Sequence, residues 1–162
     1  MQKYTDAECF ITLKDHKENF IALPQCRLIN PAKNDLGRVV KVKVERINNE
    51  IRHAKGVNQW RSTQDALSWF NNITDPDNYM FLKFDIVQFY PSISSKLLQN
   101  AINFAKTVEG IFIPKEDEEM IMQCRKSFLF CDGEPWTKVG TENFNVPMGS
   151  YDGAEICELV GL

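Results

Sequence analysis

The sequence is short of the features that mark several protein classes. It has two histidines, His16 and His53, and five cysteines, none of them spaced as CxxC. A zinc site or a disulfide framework lacks its ligand pattern here, and the odd thiol count points to free cysteines in a reducing compartment. Glycine is scarce, at 8 residues against 11 phenylalanines, which argues against low-complexity disorder. No run approaches the roughly 18 apolar residues of a membrane span. The opening MQKYTDAECF lacks a basic-then-apolar signal pattern. These absences predict a protein that works inside the cell and off the membrane, with nucleus and cytoplasm both open. What is present, 43% hydrophobic and 25% charged residues over 162 positions, suits one globular domain or a piece of a larger one.

Net charge is −3, but it is unevenly spread. Residues 1–61 carry 12 Lys and Arg against 7 Asp and Glu, a balance of +5. Residues 62–162 carry 7 against 15, a balance of −8. A basic front and an acidic rear fit a chain that holds a polyanion with one part and divalent metals with another.

Periodicity divides the chain into short strands and helices. Phe10–Lys14 and Cys26–Asn30 read as strands of a basic hairpin with a long tip, Asp15–Pro24. Asn34-Asp35-Leu36-Gly37 reads as a turn. Val40, Val44, Ile47 and Ile51 recur at helical spacing, predicting a helix from Arg38 to about His53, with Gly56 as its breaker. Val40, Val42 and Val44 also alternate, which leaves a strand open at its start. Ser62 or Thr63 caps a short helix expected to bury Leu67 and Phe70, and Asn71–Asn78 is a loop. Tyr79–Tyr90, apolar nearly throughout, predicts a central strand buried on both faces and stopped by Pro91. Ser92 or Ser94 then caps a helix with Leu97, Leu98, Ala101, Ile102 and Ala105 on one face. Another helix starts near Pro114, with Glu116–Glu119 in its first turn, where the dipole favours acids, and buries Met120, Ile121 and Cys124. Asp132-Gly133 predicts a hairpin turn between Phe128-Leu129-Phe130 and Trp136–Val139. Gly149–Leu162 is expected to be helical and reaches Leu162 with no stop signal, so the sequence reads as a piece ending inside that helix.

Asp85 is the most informative residue. A carboxylate inside a strand buried on both faces needs a basic partner, a hydrogen-bond network or a metal. Its neighbours narrow the choice. Asp85-Ile86-Val87-Gln88-Phe89-Tyr90-Pro91-Ser92-Ile93 resembles motif A of reverse transcriptases, in which an aromatic residue follows the aspartate by five positions. Family B DNA polymerases carry a similar motif, so this segment alone does not choose between them. Val146-Pro147-Met148-Gly149-Ser150 resembles motif B, most closely the form in Penelope-type elements and hepadnavirus polymerases. Upstream, Arg27 in Cys26-Arg27-Leu28-Ile29-Asn30-Pro31 looks like the motif 2 arginine. Lys14 in Ile11-Thr12-Leu13-Lys14 matches the phosphate-binding lysine of the preceding strand, with Lys17 as a rival. The order of these segments is the order of that family, and the resemblance covers nearly the whole chain.

The resemblance to reverse transcriptase-like polymerases of mobile elements implies an α+β fold, the fingers and partial palm of a right-hand polymerase. Residues 1–78 are expected to form the fingers-like region and 79–162 the partial palm, ending before the Tyr-x-Asp-Asp hairpin. It implies RNA-directed DNA synthesis from dNTP on a primed RNA or DNA template, with two Mg2+ ions completed by aspartates beyond this chain. Asp85 is then the catalytic metal ligand, with the Ile86 carbonyl beside it. Lys14, Arg27, Gln88, Phe89, Tyr90, Met148 and Gly149 bind the nucleotide, with Tyr90 excluding a 2′-hydroxyl. Gly149 and Ser150 meet template and primer. With one of its aspartates this chain alone is expected to be inactive. The rival expectation is a non-enzymatic nucleic-acid-binding remnant of a mobile element. A nucleotidyl cyclase is a further alternative, without its Gly-Gly-Asp/Glu hairpin here. Oligomeric state is left open.

Overall fold

The longest element grows from a stripe of four aliphatic residues. Val40, Val44, Ile47 and Ile51 all come to one side of helix α1 (Asp35–Lys55) and are buried there, whereas Val42 is exposed. The helical period therefore prevails over the alternation of the three valines. In the computed structural model, which describes residues 8–31, 34–57, 59–60, 62–126, 128–136 and 143–162, this helix is the spine of the molecule. It begins earlier than the sequence predicts. The Asn34 side chain accepts the Gly37 N–H at 2.6 Å, so the expected turn at 34–37 is the helix cap and first turn. Gly56, at φ 62°, ends it in the left-handed conformation, with Arg52, His53 and Lys55 in the last turn, where the helix dipole favours cations.

Five shorter helices follow among the described residues: α2 (Thr63–Asn71), α3 (Phe89–Ser92), α4 (Ser95–Thr107), α5 (Lys115–Gln123) and α6 (Gly153–Gly161), with a 3-10 turn at Pro76–Asn78. Two antiparallel hairpins complete the mixed α+β fold: β1 (Phe10–Leu13) with β2 (Cys26–Ile29), and β3 (Leu129–Cys131) with β4 (Glu134–Trp136). Asp132 and Gly133 both have positive φ, 52° and 76°, as a two-residue hairpin turn requires. The strands lie closer to this turn than predicted, and residues 137–139 of the expected second strand lie outside the described residues.

The core lies where α1, α4, α5 and α6 meet. Val40, Val44, Ile47 and Ile51 of α1 join Leu98, Ile102 and Ala105 of α4, Ile121 of α5, and Ile156 and Leu159 of α6. Each of these valines, leucines and isoleucines contributes about 1.5–3 kcal/mol on leaving water. Residues on both sides of position 78 share this core, so segments 1–78 and 79–162 meet across α1 and α6. Polar contacts align that seam. Asn48 Nδ2 donates to the Glu155 carbonyl at 2.9 Å and to Glu158 Oε2 at 3.2 Å, Lys41 pairs with Glu155 at 3.2 Å, and Arg52 pairs with Glu158. Ser94 caps α4 by accepting the Leu97 N–H at 3.1 Å, which settles the choice between Ser92 and Ser94.

Three expectations are corrected. Residues 79–88 form no strand, and they are exposed along their length, Met80 and Phe84 by 85% each. Apolar, β-favouring composition makes a strand possible, but a strand exists only when a neighbour takes its backbone hydrogen bonds, and no described residue pairs with this run. Pro91, expected to stop the strand, instead sits in the first turn of α3, where its missing N–H costs nothing. Leu67 and Phe70 of α2 are exposed, because α2 buries no residue in the core. Phe70 packs instead in a surface cluster with Trp60, Trp69 and Phe81, ring centroids 5.0–6.0 Å apart. Finally, the last helix starts at Gly153. Gly149 has φ 95°, outside helical space, and residues 150–152 bend before α6 begins.

Candidate functional site

The hairpin register places the two expected cations together. Thr12 faces Arg27 across the ladder, and Lys14 lies two residues beyond Thr12, where its N–H donates to the Gln25 carbonyl at 2.9 Å. Residues two apart on a strand share a face, so Lys14 and Arg27 are diagonal neighbours on one side of the hairpin. Two backbone hydrogen bonds between described residues help tie the hairpin to the rest of the protein. The Cys9 N–H donates to the Phe130 carbonyl at 2.8 Å, and the Asn30 N–H to the Met148 carbonyl at 2.8 Å. Ile29 and Met148 form an isolated parallel bridge.

Between these ties lies a cavity of about 810 Å3, within the range of small-molecule sites. Lys14 and Arg27 line it from the hairpin, Gln88 and Tyr90 from the turn into α3, and Met148 from the segment ahead of α6. Five residues singled out in four separate sequence segments thus border one space. Phe10, Trp136, Asn30 and Asn145 add two rings and two amides, and no carboxylate lines the cavity among the described residues. Two cations, three amides and several apolar or aromatic faces, with no opposing acid, suit a ligand that combines an anion with a flat ring.

Tyr90 is half-buried and its ring lies against α6. A Cβ added at Gly153 would stand 2.9 Å from the Pro147 carbonyl oxygen and 3.3 Å from Tyr90 Cε1, so glycine is needed first for the bend ahead of the helix and also leaves room for the ring. The Tyr90 hydroxyl also meets the Cys157 thiol. Burial, and then Cys157, push the Tyr90 phenol above its ordinary value. Burial pushes the Cys157 thiol up to about 11, with the Tyr90 hydrogen bond opposing. Both groups are therefore neutral near pH 7, and Tyr90 offers the cavity a fixed neutral ring.

Gly149 lies behind the wall rather than in it. A Cβ there would come within 2.8 Å of the Asn30 carbonyl oxygen and 3.0 Å of Ile29 Cγ2. The expected close approach at this glycine is to the protein's own β2. Ser150 Oγ donates to the Pro147 carbonyl at 3.0 Å and so shapes the same bend. Phe89 packs against the core.

Asp85 is corrected in one respect. It is exposed, not buried, so the cost of an enclosed carboxylate does not argue for a metal there; the five-residue spacing to Tyr90 remains. Asp85 makes no ion pair with a described residue. It stands three residues from Gln88, within about 11 Å along the chain, so Asp85 and Ile86 lie near the cavity without lining it. Among the described residues no group of three His, Cys, Asp or Glu side chains could hold a metal ion. One exposed carboxylate does not by itself make the pair of metal sites that the sequence suggests.

Two functional candidates had no motif to announce them. Arg125 and Asp152 form an ion pair with both side chains 1% exposed. The available signal was positional: Arg125 follows buried Ile121 by four residues, just past the end of α5, and Asp152 stands where α6 begins. Among the described residues no helix is long and apolar enough to cross a membrane. No family model matches the chain, and comparison with the curated proteins and with the solved structures finds no match.

Proposed function

We propose that the chain is the nucleotide-binding front of an RNA-directed DNA polymerase, its fingers and the adjoining part of its palm. The observation that carries this reading is the single cavity bordered by Lys14, Arg27, Gln88, Tyr90 and Met148. In this reading Lys14 and Arg27 neutralise the triphosphate of a dNTP, the arginine through its planar fork of donors. Tyr90 lies under the sugar, where its bulk leaves no room for a 2′-hydroxyl, and Gln88 and Phe89 offer backbone amides. Met148 sets the side of the base. Gly149 and Ser150 shape the segment toward template and primer, and Asp85 with the Ile86 carbonyl would be this chain's share in holding Mg2+, which would supply charge neutralisation for the triphosphate only with further carboxylates beside them. With no carboxylate among the described residues that line the cavity, the function assigned to residues 1–162 is binding, and the purified chain is expected not to extend a primer.

The test is equilibrium dialysis of the purified chain against radiolabelled dGTP and deoxyguanosine. Saturable binding of the triphosphate, tighter than the nucleoside and weakened by Arg27→Ala and Lys14→Ala, supports the reading. Triphosphate binding that ignores both substitutions overturns it. Binding of single-stranded RNA without any dNTP binding transfers the assignment to a nucleic-acid-binding module.

A further inference from the structure

We infer that Arg125 is a positioning residue that clasps both ends of segment 145–152 and thereby sets the wall of the cavity that carries Met148. The residue lies just past the C-cap of α5 and grips the segment twice. Its backbone carbonyl accepts the Asn145 N–H at 3.0 Å, at one end. Its Nη2 donates to Asp152 Oδ2, at the other. Between these grips Val146, Pro147 and Met148 line the cavity, and the Met148 carbonyl receives the Asn30 N–H from the hairpin. Asp152 in turn accepts the Ile156 N–H through its own carbonyl at 3.0 Å, so the clasp also fixes where α6 starts.

Stability alone does not account for the pair. Two enclosed charges lose their hydration, and an apolar pair of similar volume commonly stabilises a fold as well or better. Arg125 Nε and Nη1 and Asp152 Oδ1 are buried with no hydrogen-bond partner among the described residues, so this pair is not the one that maximises stability. A directional charged hydrogen bond does what an apolar contact does not: it holds two atoms at one separation and orientation. The clasp deepens the nucleotide-cavity reading and rests on it only for the affinity measurement below.

The experiment compares the full chain with the double variant Arg125→Met, Asp152→Leu, which leaves no unpaired buried charge, and with Arg125→Lys. Amide hydrogen exchange is followed residue by residue, and dGTP affinity by dialysis. The double variant is expected to keep wild-type protection at Ile102 and Ala105 of α4. The Asn30 and Asn145 amides are expected to exchange about tenfold or more faster. The affinity for dGTP is expected to fall about tenfold or more, as displaced binding groups lose alignment. Unchanged protection at Asn30 and Asn145 overturns the clasp. Should the double variant fail to fold, Arg125→Lys decides: selective loss at those two amides supports the clasp, while no loss or uniform loss overturns it. If the exchange pattern holds but the wild-type chain binds no dGTP, the clasp stands and the nucleotide reading falls.

Discussion

The Asn30 N–H and the Met148 carbonyl are 2.8 Å apart, and this bond joins the basic hairpin to the segment ahead of α6. Through it, Arg27 on one segment and Met148 on the other face a common space. The next residue, Gly149, is left-handed at φ 95°, and the Asn30 carbonyl oxygen stands 2.8 Å from where its Cβ would be. Backbone atoms cannot step aside as a flexible side chain can. Gly149→Ala is therefore expected to cost about 1–3 kcal/mol from the backbone conformation alone, with the contact adding to it. Urea denaturation measures the loss, and a variant as stable as wild type contradicts the packing described.

Lys14 and Arg27 line the cavity from a two-stranded hairpin that adds little to the core. Their removal should spare the fold and weaken anion binding. A charge-assisted hydrogen bond is worth about 1.5–3 kcal/mol, so Arg27→Ala is expected to reduce dNTP affinity about tenfold to a hundredfold. Arg27→Lys should recover only part of this, since a lysine presents a point charge rather than a fork. Added salt should weaken wild-type binding more than that of the alanine variants. Equal affinities of wild type, Lys14→Ala and Arg27→Ala, at equal melting temperature, would remove both residues from the site.

Tyr90 gives a test that separates ring from hydroxyl. Tyr90→Phe keeps the ring against Gly153 and loses only the contact with Cys157, so preference for dGTP over GTP should persist. Tyr90→Ala empties the space beneath the proposed sugar position and should bring the two affinities together. The alanine variant also leaves a gap against α6, at about 3–5 kcal/mol for a large aromatic in a packed site and less for a ring only half-buried. Competition dialysis below the melting transition reads the ratio. A ratio that alanine leaves unchanged takes the gate role from Tyr90.

The Cys157 thiol, raised from an ordinary value near 9 to about 11, carries a pH dependence of known sign. The folded state holds this proton more tightly than the unfolded state. Its stabilising effect is complete below about pH 9, falls as pH rises between about 9 and 11, and is lost above. At pH 8 about one Cys157 in a thousand is a thiolate, so iodoacetamide should modify exposed Cys26 first and spare Cys157 in the native chain. Mass spectrometry of the alkylated protein checks the order. Early labelling of Cys157 would mean that its pocket is open to water.

Local pattern carried much of the fold. The 4-3-4 stripe of α1, its Gly56 stop, a serine cap on α4 at Ser92 or Ser94, the acidic first turn of α5 and the Asp132-Gly133 hairpin were all legible, because each depends on residues a few positions apart. The five cavity residues from separate segments were legible as residue types, though not as neighbours. The run 79–88 was not legible: its composition says it can be a strand, while burial and pairing belong to whatever lies beside it. Nor were Arg125 and Asp152, because a buried pair leaves no motif when its partners are far apart in sequence.

By itself the sequence determined α1, α2, α4 and α5 to within a few residues, the Asp132-Gly133 turn and the identity of the groups that can meet an anion and a ring. A helical hydrogen bond spans four residues, and a cap or turn fewer, so these are settled locally. Only the tertiary structure decided that Asp85 is exposed, that Gly149 presses on Asn30, and that Arg125 closes on Asp152. Each of those depends on which distant backbone or side chain occupies the adjacent space, and that is set by how the core packs.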